Sequence, residues 1–315
     1  MNICVLCPDA NVPYGGIKQL YRHVDVLNNN GFSASILHSQ YGFRCTWFNN
    51  NTKVAYASGI NRELIDYLLV PVIYGPQLAE IGRGIKKVIS NQGCYSTFNG
   101  YSIDKNNFTS PYSDPEVVAT LVVSDDSRQY LQYVFPKLKI FKIHNGIDPS
   151  LFSYKAEKKR QIAFMVSKCA QDVIQLINIL KFRGVLKDYD LVPIANKSET
   201  EVANIMQESL IFLSFGYQEG FLLPPAEAMA CGCIVIGYHG NGGKEFFKPE
   251  FSYPIPQADI IAFAKAVEEV MDIYKNNPEL LREKGLKAAN FIRENYSLER
   301  EAGDIIGFWR NISNL

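Results

Sequence analysis

Short apolar runs recur along this chain, separated by stretches in which apolar residues return every three or four positions. Residues 3–6 (Ile-Cys-Val-Leu) are the first run. A helical stripe follows over 15–27, with Ile17, Leu20, Tyr21, Val24 and Leu27 on one face, because side chains three and four apart share a helix face. Further strands are predicted at 33–38, 69–73, 87–90, 120–124 and 140–143. The alternation then restarts, with strands at 160–165, 190–194, 211–214 and 233–237 and helices between. Helical patterns close the chain over 260–274, 278–295 and 297–315. Strands alternating with helices mean parallel sheets with crossovers. Two such series predict an α/β chain of two doubly wound, Rossmann-like domains. The first is 1–150, joined by a last helix at 298–315 that crosses back, and the second is 157–297. Between them, 149–160 holds a proline and then polar and basic residues without an apolar period.

The 315 residues suit two domains, and a 47 % hydrophobic content can fill two cores. A formal net charge of zero argues against a nucleic-acid binder. The charge is uneven, however: from Arg128 to Asp188 there are 12 Lys or Arg against 4 Asp or Glu. A basic middle suits a phosphate-bearing ligand or peripheral contact with an anionic membrane. No run has the length of a membrane span, and the first strand lacks the features of a signal peptide. The expected place is therefore the cytoplasm, with contact at the inner face of the membrane. Seven cysteines, an odd number in a long chain, argue against a disulfide framework. Cys4 and Cys7 have CxxC spacing but lie in a strand with no second pair. Asp188-Tyr189-Asp190 reads as a surface turn, and no cluster has metal-ligand spacing.

Two segments carry chemistry. Gly15-Gly16 follows the first strand and opens a helix, where bare backbone and helix N–H groups suit an anion. It is not GxGxxG, and no acidic residue follows some twenty residues on, so a nicotinamide cofactor is disfavoured. The second segment, 215–232, is sharper: Phe-Gly-Tyr-Gln-Glu-Gly-Phe-Leu-Leu-Pro-Pro-Ala-Glu-Ala-Met-Ala-Cys-Gly. Here a strand ends in a glycine loop, prolines open a helix and Gly232 closes it. Glu219 is expected in the loop at the strand's carboxyl end, and Glu227 in the first helical turn. Carboxylates so placed reach different parts of an extended ligand, and carboxylates suit the hydroxyls of sugar and ribose.

This second segment resembles the E-G-F-x-L-P-x-x-E-A-M-A-x-G signature of retaining GT-B glycosyltransferases of the glycogen-synthase, sucrose-synthase and mannosyltransferase type, including bacterial envelope and exopolysaccharide enzymes. His144-Asn145-Gly146-Ile147-Asp148 resembles that family's domain-crossing segment, and Gly242-Gly243-Lys244-Glu245 its late turn. Gly15-Gly16 resembles its N-terminal glycine loop. The resemblance implies two domains facing across a cleft and transfer of a hexose, glucose first, from UDP-glucose or a related donor to a glycan or lipid-linked acceptor in polysaccharide biosynthesis. The nucleotide sugar is a substrate, and neither metal nor further cofactor is implied. Glu219 would face the donor sugar and Glu227 hold the ribose. Gly15, Gly16, Asn145, Gly220, Phe221, Leu222 and Leu223 would line the donor, and Ile194 would border the base. Leu222 stands where the family usually has Gly. Ser167 and Asp172 stand where it has Arg and Lys, so Lys168 is expected to supply the cation for the departing diphosphate. The alternative is a subunit that binds nucleotide or glycan with weak or no turnover.

Overall fold

A computed structural model of the chain describes residues 1–106, 109–166 and 168–314. The chain divides into two compact units: Met1–Asn145 with the segment from Glu299 onward, and Gly146–Leu298. The units part at Asn145–Gly146, ahead of the expected linker, and the reason is local. The Ile147 N–H donates to Tyr296 O (2.8 Å) and Phe152 is buried, so 146–152 packs with the second unit.

In the first unit, β1 (Asn2–Leu6), β2 (Ser33–His38), β3 (Val54–Tyr56), β4 (Tyr67–Pro71), β5 (Lys86–Asn91), β6 (Val117–Val122) and β7 (Ile140–Lys142) form one sheet, ordered β3-β2-β1-β4-β5-β6-β7. Every pairing is parallel. Such strands are covered on both faces, which is why they read as continuous apolar runs. Helix α1 (Gly15–Asn29) buries Ile17, Leu20, Tyr21, Val24 and Leu27, the stripe expected of it. Helix α2 (Asp125–Val134) starts at Ser124, whose hydroxyl accepts the Ser127 N–H, the usual way to satisfy an orphan donor at a helix start.

The second sheet is β8 (Lys159–Met165), β9 (Asp190–Ile194), β10 (Ser209–Glu219), β11 (Ile234–Asn241) and β12 (Ser252–Pro254), all parallel, in the order β12-β11-β10-β8-β9. Helices α3 (Ala170–Phe182), α4 (Glu199–Glu208), α5 (Leu223–Ala230), α6 (Ile260–Asn276) and α7 (Pro278–Asn295) belong to this unit. Ser198 and Glu201 form the capping box of α4. Lys158 reaches under the sheet and donates to Met206 O (3.3 Å), Gln207 O (2.9 Å) and Cys231 O (2.7 Å), closing the carboxyl ends of α4 and α5.

The last helix, α8 (Leu298–Asn311), belongs to the first unit. Ile305, Phe308, Trp309 and Ile312 complete the core that α1 lies on. Two neighbouring residues of α1 clamp it. Arg22 pairs with buried Glu301 (2.9 Å), and the Trp309 indole N–H donates to His23 Nε2 (2.7 Å). Asp304 accepts from the backbone N–H of His144 (3.0 Å) and lies 2.7 Å from its Nδ1.

No helix among the described residues is long and apolar enough to cross a membrane, and no group of three or more potential metal ligands occurs among them. Asp190 opens β9, and its DxD spacing forms no such group.

Candidate functional site

In an open parallel sheet every strand points its carboxyl end to one edge, where the loops gather and ligands bind. The second unit marks that edge through its backbone. Five non-glycine residues among those described have positive φ: Cys169 (47°), Asn196 (51°), Gln218 (48°), Asn241 (67°) and Ala258 (65°). They lie at or just past the carboxyl ends of β8, β9, β10, β11 and β12 in turn, one per strand. The described residues of the first unit contain none. A side chain in this region costs about 1 kcal/mol or more, less for Asn. Strain of that kind collects where a fold holds its loops for a ligand.

β10 lies at the centre of this sheet and is its longest strand, at 11 residues. It continues past the expected end at 214, so Glu219 closes the strand rather than sitting in a loop. The apolar pattern stops because Tyr217 and Gln218 are exposed, but pairing with β11 continues through a shift between Gly216 and Glu219. Glu219 thus comes opposite Asn241. The two backbones press together here. A Cβ on Gly242 would stand 2.1 Å from Gly220 O and 2.5 Å from Glu219 O, closer than real contacts allow.

Lys168 follows β8, the strand beside β10, and its ammonium forms an ion pair with the Glu219 carboxylate. The two residues assigned the donor's charge and its sugar therefore meet, 18 % of the Glu219 side chain and 51 % of the Lys168 side chain remaining exposed. Burial draws the Lys168 pKa below the ordinary lysine value, and the neighbouring Cys169 acts in the opposite sense. Ser167 lies outside the described residues.

Gly220, Phe221 and Leu222 are buried and Leu223 is half-buried behind Glu219. Helix α5 starts at Leu223, so Glu227 falls beyond its first turn, which contains no acidic residue. Attraction to the helix dipole, which acts within the first turn, is therefore not what places Glu227. Ile194 ends β9 and is buried. Gly15, Gly16 and Asn145 belong to the other unit. There α1 opens at Gly15, and Gly16 carries a neighbour where a Cβ would stand: Gln92 Oε1 is 2.2 Å from that point, and Gln92 Nε2 donates to Gly16 O (3.2 Å). A cavity of about 680 Å³ between Tyr112–Val118 and Val134–Lys139 contains none of these residues.

His239 is a residue that its lone place in the sequence did not single out. Its Nδ1 accepts the Asn241 N–H (3.0 Å), so the neutral ring carries its proton on Nε2. The glycines at 237, 240, 242 and 243 were the available signal, since a run of them after a strand marks close backbone approach.

Residues 190–288 match the family described as Glycosyl transferases group 1. Over 170 residues the chain is 31 % identical to an alpha-1,6-glucosyltransferase of Actinobacillus pleuropneumoniae serotype 7 (strain AP76), covering 50 % of this chain and 51 % of that protein. The chain thus spans about half the length of the curated relative it matches. Sucrose-phosphate synthase from Thermosynechococcus elongatus superposes with a TM-score of 0.70 at 14 % identity, over 99 % of both chains. HepE from Anabaena, solved in complex with UDP-glucose, superposes with a TM-score of 0.66 at 12 % identity over 100 % of both. These likenesses show the fold: two Rossmann-like α/β domains of the GT-B class.

Proposed function

We propose that this chain transfers a hexose, glucose first, from its UDP-linked donor to a hydroxyl of a glycan or lipid-linked acceptor in polysaccharide biosynthesis, with retention at the anomeric carbon. The observation that carries the reading is the meeting of Lys168 and Glu219 at the strained carboxyl edge of the second sheet. The matched segment 190–288 includes Glu219 and Glu227, and one matched relative is named as a glucosyltransferase.

The chemistry follows from charge. The bond between the sugar C1 and the β-phosphate oxygen breaks, and its electron pair leaves with UDP. The acceptor oxygen bonds to C1 from the same face, and its proton passes to the departing phosphate oxygen. Negative charge grows on the diphosphate as this happens, and a preplaced cation there stabilises the transition state more than the ground state. Lys168 supplies that cation. Glu219 accepts hydrogen bonds from the sugar hydroxyls, and Glu227 does so from the ribose. Gly220, Phe221, Leu222 and Leu223 line the donor, and Ile194 borders the base. Gly15, Gly16 and Asn145 are assigned to the donor on the family resemblance alone. The donor parts the resident ion pair, its phosphate taking the ammonium and its sugar the carboxylate. The basic segment from Arg128 to Asp188 supports peripheral contact with the cytoplasmic face of an anionic membrane, which vesicle flotation at low salt tests.

The same ion pair also favours a second reading, since a cation already neutralised by Glu219 describes a subunit that holds nucleotide without turnover. Calorimetric titration with UDP, GDP and ADP in EDTA, followed by turnover of UDP-glucose, separates the two. Selective UDP binding with transfer or slow donor hydrolysis supports the enzyme. Selective binding with neither supports the second reading, and no binding of any nucleotide refutes the enzyme and leaves a non-catalytic subunit that binds glycan.

A further inference from the structure

Leu222 stands where the resemblance leads one to expect no side chain, and its side chain has a prepared place. A Cβ on Gly216 would lie 2.7 Å from Leu222 Cδ1 and 2.8 Å from Cδ2. One on Gly243 would lie 3.2 Å from Cδ1, and one on Gly240 would lie 3.3 Å from it. Three glycines from β10, the end of β11 and the turn after it therefore clear one niche, and Leu222 fills it, buried to 6 % exposure. Gly216 has an ordinary negative φ, so its lack of a side chain serves clearance rather than backbone freedom.

The niche also borders Glu219. The point that Gly240 keeps open lies 3.1 Å from Glu219 Cγ and 3.2 Å from its Cβ, as well as 3.3 Å from Leu222 Cδ1. The leucine methyl and the glutamate stem therefore flank the same gap. Lys168 holds the carboxylate. Once a donor draws Lys168 away, that restraint is lost, and the packing around the stem sets where the carboxylate points as it meets the sugar. Fixing a catalytic side chain through its packed neighbours is what separates a productive geometry from one that is merely present.

We infer that Leu222 is a positioning residue: by filling the Gly216–Gly240–Gly243 niche it holds the Glu219 stem in the rotamer that faces the sugar. This rests on the reading of Glu219 given above. Leu222 touches the donor through its backbone, while its side chain acts through Glu219.

The test uses Leu222→Ala, Leu222→Val and the volume-conserving Leu222→Met in the full chain. Crystal structures with UDP bound read the Glu219 side chain directly. One rotamer in the wild type and in Leu222→Met, and several in Leu222→Ala, is the expected result. With UDP-glucose as donor, Leu222→Ala loses about tenfold or more in kcat, a larger change than in its UDP affinity, and Leu222→Met recovers turnover relative to it. Leu222→Val takes the place of the alanine variant if that does not fold. A single unchanged Glu219 rotamer in the truncated variant overturns the inference, as does a loss of kcat that Met fails to rescue. If the wild type transfers sugar from no nucleotide donor, the proposed function fails. The rotamer comparison then decides the positioning role by itself.

Discussion

Acid should loosen the first unit through one buried histidine. His23 is buried under α8, its Nε2 accepting the Trp309 indole N–H (2.7 Å). Burial lowers its pKa from 6.5 to about 4, because the site cannot hydrate a cation. Below pH 6.5 the unfolded chain binds a proton here that the folded chain refuses until about pH 4. Stability is thus complete above 6.5 and falls with pH through that window. At 1.36 kcal/mol per pKa unit, the loss is about 2 kcal/mol between pH 7 and pH 5 and about 3 kcal/mol by pH 4. The chain has two tryptophans, Trp47 and Trp309, both in the first unit, so fluorescence-detected urea unfolding reports this unit. Asp304 titrates below this window, its carboxyl raised by burial but held below the ordinary value by the His144 bonds. His23→Gln keeps an acceptor for the indole and removes the titration. The wild type should therefore lose about 2 kcal/mol more than His23→Gln between pH 7 and pH 5. Parallel stability curves for the two proteins would refute the reasoning.

Three further outcomes follow. Glu219→Gln frees Lys168, so it should abolish transfer yet tighten UDP binding by up to about fivefold, an exposed pair being worth at most about 1 kcal/mol; weaker UDP binding in calorimetry contradicts the ion-pair exchange. Gly242→Ala drives a methyl against the Gly220 carbonyl and should cost about 1–3 kcal/mol in urea unfolding, with UDP affinity reduced alongside. Lys158→Met takes the ammonium donor from Met206 O, Gln207 O and Cys231 O, leaving Met206 O with the Cys233 thiol and Cys231 O with the Lys155 N–H, and should cost about 1–3 kcal/mol in urea unfolding followed by circular dichroism.

The strands that sequence located best are those whose apolar run ends where pairing ends: 33–38 and 190–194 agree at both limits. β3 and β12 have three residues each, too few to display a period. β10 was cut short because the polar Tyr217–Glu219 tail carries no apolar signal, while its pairing depends on a glycine-rich tail in another strand. Glu219 and Lys168 were each legible from a motif and its departure. Their contact was not, because β8 and β10 are neighbours only after β9 is placed on the outside of the sheet. The left-handed residues were equally hidden, since none of the five is a glycine.

The return of α8 also governs the order in which the molecule can be built. Its side chains finish the core laid down by β1 and α1, so the first unit waits for residues made after the whole of the second. The 146–298 unit is contiguous and complete in sequence before Glu299 is added. Folding during synthesis is therefore expected to run against chain order, with the second unit closing while the first still exposes the apolar face that Ile305, Phe308 and Trp309 will cover. During that interval this face is the part of the nascent chain most open to aggregation, and the natural place for a chaperone to bind.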